Sequence, residues 1–376
     1  MNDLKDFIVQ HRRHIHQNPE LGFNTQNTAA YIANILKELG YEVNLRMNDA
    51  AIIATLNLGK DETYAFRSDL DALKICEMTN LEFKSTNGAM HACGHDGHMA
   101  TLLGAAKLMS ENKEKLTKNI VLLFQPAEEG PLPGGAFYLK DDPILKQVDR
   151  FFAYHVTKKL YSGQIGIKSL EATASPDLWE LELTGIGCHG STPSLGNNPI
   201  LPGSMIALEL EKLYQELLKN YNLVITTTYI SSGVSMNIIL DKCYLKGTAR
   251  SFKEEHRHML KEKMTEVIDK VCKKYNVTYK FDFHFAYPPV LNDLENERII
   301  KEAASKVLEK ENIISLEKPE LIGEDFAYYR EIAPICLTWL GTRNKNEQFL
   351  DLHNEKFSVD EDSLVYGAKI LYNTVI

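Results

Sequence analysis

Ile120-Val121-Leu122-Leu123-Phe124-Gln125-Pro126-Ala127-Glu128-Glu129-Gly130 is an unbroken apolar run that stops at a proline and then sets two carboxylates side by side. A run without polar alternation reads as a strand covered on both faces, the kind found in α/β sheets. Adjacent glutamates beyond such a strand suit a surface poorly, because like charges there repel without benefit. A metal site accounts for them better: one carboxylate holds an ion while its neighbour takes a proton from water. Ligands in open α/β sheets gather past the carboxyl ends of strands, so the other strand ends are where further site residues are expected.

Thr63–Arg67 is a second strand candidate, and it runs into Ser68-Asp69-Leu70-Asp71-Ala72-Leu73. Extended backbone would turn Asp69 and Asp71 to the same face, although surface turns use the same residues. Phe151–Val156 places His155 near a strand end. A lone histidine there is commonly structural, but here it completes a set. The densest stretch is His91-Ala92-Cys93-Gly94-His95-Asp96-Gly97-His98, with three histidines, a cysteine and an aspartate. Gly94 permits a turn that lets Cys93 and His95 face one ion; the alternatives are a loop rich in histidine and half of a disulfide. Cys336–Gly341 is another apolar strand candidate, and Leu352-His353 supplies a late histidine. His14 and His16, in the Arg12–Gly22 segment, are either ligands or, the preferred reading, helix-surface and packing residues.

Composition bounds the rest. A chain of 376 residues favours two domains. Its 44% hydrophobic and 25% charged content is that of a soluble globular protein. A net charge of -9 and the lack of any basic run argue against a nucleic-acid partner. The N-terminus has no apolar core of signal-peptide length and no stretch approaches a membrane span, so a cytoplasmic location without membrane attachment is expected. The six cysteines are scattered without framework spacing, as befits reduced thiols.

Hydrophobic periodicity predicts helices over 28–39 and 99–111, a strand over 52–58 and a closing helix over 363–375. Between Leu178 and Tyr287 the pattern changes to β-α-β-β-α-β: strands at 179–184, 223–230, 241–252 and 277–287, helices at 200–219 and 253–274. That order suits a ferredoxin-like sandwich inserted into a larger domain. The expected organisation is α/β, with a discontinuous metallohydrolase domain over 1–173 and 288–376 and an α+β lid/dimerisation domain over 174–287. Within the insert, the glycine-flanked loop 185–193 presents His189. Asn237 and Arg250 lie on or near a strand pair, and Arg250 could grip a carboxylate bidentately or be an ordinary surface arginine.

Taken together, these motifs resemble the M20 metallopeptidase family in its aminoacylase/amidohydrolase branch, which includes N-acyl-amino-acid deacylases and auxin-conjugate hydrolases. The likeness spans Arg12-Arg13 to Gly22, Arg67–Leu73, the Cys93 loop, Glu128-Glu129, the His189 loop, Gly323-Glu324-Asp325-Phe326 and Leu352-His353. It implies two divalent metal ions per subunit, zinc or manganese with cobalt or nickel possible, held by Cys93, His95, Glu129, His155 and His353, with Cys93 bridging. It implies Glu128 as general base and Asp71 as a carboxylate supporting the ligands. His189 would reach a neighbouring subunit's site and polarise the scissile carbonyl, Asn237 and Arg250 would hold the substrate carboxylate, and the lid would form a homodimer.

The implied activity is hydrolysis of N-acyl amino acids, with N-acetyl-diaminopimelate among the candidates. Alternatives are a carboxypeptidase or dipeptidase acting on short peptides, and a silent binding protein. The chain departs from the family where Leu240 replaces a proline, where Cys188 stands for a common glycine, and at Asn354.

Overall fold

The computed structural model describes residues 2–376, and the chain divides into two units. The first comprises the chain up to Ala172 together with Leu291–Pro319 and Asp325–Ile376; the second comprises Thr173–Val290 and Glu320–Glu324. In chain order, the first unit begins with α1 (Asn2–Gln17), α2 (Gln26–Glu38), β1 (Glu42–Arg46), β2 (Ala51–Leu56) and β3 (Thr63–Asp69). It continues with α3 (His95–Glu111), β4 (Asn119–Gln125), α4 (Gly135–Leu139), β5 (Arg150–Tyr161), β6 (Ile165–Ile167) and β7 (Leu170–Glu171).

The second unit holds β8 (Ser175–Thr184), β9 (Cys188–His189), α5 (Ile200–Leu217), β10 (Leu223–Ser231), β11 (Ile238–Ile239), β12 (Lys242–Ser251), α6 (Glu254–Tyr275) and β13 (Thr278–His284). The chain then returns to the first unit as β14 (Leu291–Asn292), α7 (Leu294–Ser305), β15 (Ile313–Ser315), β16 (Ile335–Arg343) and α8 (Glu361–Asn373).

The first unit is built on an eight-stranded mixed sheet in the order β1-β2-β4-β3-β5-β16-β6-β15. Its centre is parallel: β4, β3, β5 and β16 run side by side. The apolar run Ile120–Phe124 lies in β4, which is fully buried from Ile120 to Gln125. Helix α3 is buried almost all round, because α1 and α8 pack against it. Gly104 allows that approach, since a Cβ there would lie 2.6 Å from Ile8 and 3.2 Å from Ala368. Asp293 and Asp360 cap α7 and α8 by accepting from backbone N–H groups of the first turn.

The second unit is an antiparallel sheet, β10-β12-β8-β13, covered by α5 and α6. This is the ferredoxin-like order anticipated from the alternation of strands and helices. Its core is closed by Trp179 at the sheet centre, and by Asp177, which takes Nε and Nη2 of Arg257 at 2.9 and 2.7 Å and the Ala286 N–H at 2.9 Å. All six cysteines are free thiols. Among the described residues no helix is long and apolar enough to cross a membrane.

Candidate metal centre

The ends of β3 and β4, the start of α3 and the middle of β5 meet in the first unit; β5 runs on to Tyr161, so His155 lies mid-strand rather than near the strand end expected from sequence. The turn before α3 is possible only with glycine: Gly94 has φ +87, and a Cβ there would stand 2.3 Å from Val156. That turn brings Cys93 and His95 to one side. The ligand atoms of Cys93, His95 and His155 lie within 4.8 Å of one another, and so do those of Cys93, Glu129 and His353. Cys93 belongs to both groups. Glu128 joins His95 and Glu129 in a third such group, its carboxylate 3.9 Å from His95 Nε2.

Backbone groups hold these side chains. His95 Nδ1 donates to the Asp71 carbonyl at 2.8 Å and His155 Nδ1 to the Val156 carbonyl at 2.8 Å, which leaves each Nε2 as the free lone pair. Asp71 accepts from the N–H of Glu128 at 2.9 Å and of Glu129 at 3.1 Å, so one carboxylate fixes the backbone of both glutamates. His353 sits at φ 65, a strained conformation for a histidine, and its N–H is tied to the Ala92 carbonyl at 2.9 Å beside Cys93. Its Nε2 is 3.2 Å from Glu129 Oε1.

Electrostatics point to cations. Burial drives Asp71 well above the usual carboxylate range, against the amide N–H groups that favour its anion. Burial and the nearby Glu129 and Glu128 likewise push the Cys93 thiol far up. Burial would raise Glu129 too, but His353 and His95 outweigh it and bring its carboxyl down. A thiolate beside two glutamates is stable only next to a positive ion. His95 Nε2 is buried without a hydrogen-bond partner, as a ligand atom facing an ion would be. Thiolate, imidazole and carboxylate donors in two groups sharing Cys93 suit two divalent metal ions.

Not every histidine of the rich stretch turns to the centre. His98 Nδ1 is 2.6 Å from Asp69, and its Nε2 accepts the Val156 N–H at 2.9 Å. His91 is buried with neither ring nitrogen partnered, and burial lowers its pKa to about 3; nothing in the structure explains it. Asp96 instead joins a buried charge network that sequence reasoning missed. Arg12 Nε donates to Asp96 at 2.7 Å, and His16 lies between Asp96 at 2.9 Å and Glu77 at 3.1 Å. His16 is therefore a buried ionic residue rather than the surface or packing group its sequence context suggested, whereas His14 stacks on Tyr31 as a packing residue does. Asp69 and Asp71 are both buried but serve different partners, since Asp69 also takes Arg67 Nη1 at 2.8 Å.

In the second unit, His189 lies on β9 and Asn237 immediately precedes β11, its pairing partner; the Gly190 N–H donates to the Asn237 carbonyl at 2.8 Å. Both side chains are exposed. Arg250 is half-buried on β12, and among the described residues it hydrogen-bonds only to Thr248 Oγ1 and the Ala249 carbonyl, with no carboxylate partner. The structure thus brings His189 and Asn237 together and places Arg250 on a separate strand.

Residues 65–376 match the model of Peptidase family M20/M25/M40. The chain is 35% identical over 374 residues to "Thermostable carboxypeptidase 1" of Saccharolobus solfataricus, covering 98% of this chain and 94% of that protein. It is 32% identical over 381 residues to the N-acetyl-L-cysteine deacetylase of Bacillus subtilis, covering 100% and 88%. Among solved structures, the Bacillus subtilis YXEP protein, described as a dinuclear metal-binding peptidase from the M20 family, superposes with a TM-score of 0.87 at 30% identity, covering 99% of this chain and 97% of that one.

Proposed function

The chain belongs to Peptidase family M20/M25/M40 and is a metal-dependent hydrolase of amide bonds, and from that premise we propose that it releases amino acids from their N-acyl, chiefly N-acetyl, derivatives. The observation that carries the reading is the Glu128–Glu129 pair, clamped through its backbone by Asp71 against a cysteine and histidine donor set. Cys93, His95 and His155 would hold one ion, and Cys93, Glu129 and His353 the other. Zinc or manganese fits these donors, with cobalt or nickel accepted. Such ions polarise a carbonyl oxygen and lower the pKa of water toward neutrality.

Glu128 takes the proton of the water that attacks the amide carbon, and gives it to the leaving amine when the C–N bond breaks. Asp71 contributes by holding the peptide between the two glutamates. In the second unit, His189 is assigned to the developing oxyanion, and Asn237 and Arg250 to the substrate carboxylate. Support for Arg250 is its guanidinium, half-buried and, among the described residues, hydrogen-bonded to no carboxylate, with Asp177 acting on it only through its charge. A homodimer is proposed through β10, an edge strand of its sheet that exposes Tyr229 and Ile230.

A carboxypeptidase or dipeptidase is the second reading, favoured by the Saccharolobus relative. Both substrates present an amide and a free carboxylate, so the site serves either. Amine release from a panel decides between them: N-acetyl amino acids, including N-acetyl-cysteine and N-acetyl-diaminopimelate, beside dipeptides, with manganese or zinc supplied. Selective release from the acyl amino acids is expected. Release from dipeptides alone would move the protein to the peptidases, and silence across the panel with metal bound would end the hydrolytic proposal.

A further inference from the structure

His98 is the third imidazole of the metal-rich stretch, 1% exposed, and its hydrogen bonds commit both nitrogens. A backbone N–H can only donate, so the contact from Val156 at 2.9 Å requires a lone pair on Nε2. The proton of the neutral ring is then on Nδ1, donated to Asp69 at 2.6 Å. A histidine bound in this way has no lone pair left for a metal.

Its position explains what it does instead. The β3–β5 ladder ends at the pair Arg67–Ala153, while β5 continues to Tyr161. At Val156, an imidazole takes the place of a strand partner. Val156 is also the residue on which the candidate ligands converge. Its carbonyl accepts from His155 Nδ1 at 2.8 Å. Its side chain fills the space over Gly94, between Cys93 and His95. Tyr154, two residues before it, donates to the carbonyls of Gly97 and His98 at 3.2 and 3.0 Å, locking α3 to the same stretch of strand. Asp69 anchors the far end of the chain, with Arg67 on its second oxygen at 2.8 Å.

We propose that His98 is a positioning residue: through the Val156 N–H it holds the middle of β5 so that His155 presents Nε2 to the metal centre beside Cys93 and His95. The inference rests on His155 belonging to that centre and is independent of which amide is cleaved. A group that orients a ligand typically changes metal affinity ten- to a hundredfold when lost.

Two substitutions separate the two hydrogen bonds of the ring. In His98→Gln the side-chain oxygen reaches the place of Nε2 and can accept from Val156, while the bond to Asp69 is lost. In His98→Asn the amide reaches the place of Nδ1 and can donate to Asp69, while Val156 is abandoned. Metal affinity is measured on the full chain by chelator competition with zinc, together with the visible spectrum of the cobalt-substituted protein and circular dichroism as a check on folding.

The expected result is selective. His98→Asn weakens one of the two ions about ten- to a hundredfold and alters the cobalt spectrum, and His98→Gln stays within about threefold of wild type. His155→Gln, as control, loses the same ion. Wild-type affinity for both ions in His98→Asn would overturn the proposal, and so would equal losses in the Asn and Gln variants. If His155→Gln retains both ions, the premise about His155 has failed rather than the linkage through Val156. Nitrogen-15 spectra of the imidazoles give an independent readout: a His98 ring protonated on Nε2 would also overturn it.

Discussion

Apart from His353, which is exposed in the α/β unit, the two units carry their candidate functional residues in different ways. In the α/β unit, Asp71, Cys93, His95, Glu128 and His155 are all buried, and His95, His155 and the two glutamates are oriented by hydrogen bonds to or from the backbone. In the inserted unit, His189 and Asn237 are exposed on a two-strand ribbon, and Arg250 is half-buried with only a neighbouring hydroxyl and carbonyl as partners. Groups that must meet developing charge act best when already fixed, because no reorganisation then accompanies the reaction. Groups that grip a substrate keep their hydrogen-bonding capacity for it. On the proposed assignments, the α/β unit holds its metal-binding and proton-transferring groups in place, and the insert brings groups with free hydrogen-bonding capacity, His189 for the oxyanion and Asn237 and Arg250 for the substrate carboxylate.

The hardest test of that division is Glu128→Gln. The change keeps shape and leaves the backbone N–H on Asp71 intact, but removes the proton acceptor. Turnover should fall by about a thousandfold, within the range for loss of general acid–base catalysis, while two metal ions per chain remain bound. Near-wild-type turnover would remove Glu128 from the chemistry, and loss of metal would make it a ligand.

The rigidity of the α/β unit is probed next by the buried network beside α3. His16→Gln breaks an ion pair whose members are at most 8% exposed, and removing one partner of such a pair costs about 3 kcal/mol. Burial alone would lower the pKa of His16, but Asp96 and Glu77 outweigh it and raise it. The same burial opposes Glu77, yet His16 and Thr79 bring its carboxyl down to about 2. The stability His16 contributes is thus complete below its unfolded value of about 6.5 and is lost as pH rises through the raised folded value. The carboxylate contribution is complete above about 4.5 and fades as pH falls toward 2. The stability difference between wild type and His16→Gln, from urea unfolding at fixed metal, should be largest between these limits and shrink on both sides. A difference that does not change with pH would mean that the network is not ionised.

What could be read from the residues follows the same line. The longer strands, β2 to β5 and β16 in the first unit and the four of the insert's main sheet, were legible because apolar runs and alternation are local signals, whereas β1, β6, β7, β9, β11, β14 and β15 are too short to show a pattern; Cys93, His95 and Glu128-Glu129 stood out because rare residue types crowd a few positions. The roles of His16, Asp96 and His98 were not legible. Their partners lie 61 to 84 positions away for the Arg12–His16–Asp96–Glu77 network, and 29 and 58 positions away for His98, so no periodicity marks them. From the residues alone His98 has no role beyond membership of a histidine-rich stretch, and only the Val156 N–H shows where its lone pair goes. Helix α7 also escaped notice, being polar enough that its buried stripe is thin.

Arg250 offers the smallest but most discriminating test of the insert. Within its own unit the Arg250 guanidinium feels the charge of Asp177 but donates to no carboxylate, so it can take one from a substrate in two parallel hydrogen bonds, which an ammonium cannot reproduce. Arg250→Lys keeps the charge and loses the fork. It should raise KM for an N-acetyl amino acid about tenfold, the worth of one charged hydrogen bond, and leave kcat within about twofold. The same amino acid presented as its carboxamide gives the fork nothing to hold, so its KM should barely move. A fall in kcat for both substrates would place Arg250 with the chemistry and erase the division between the units. An unchanged KM for the acid would return Arg250 to an ordinary strand arginine, and the substrate carboxylate would need another host.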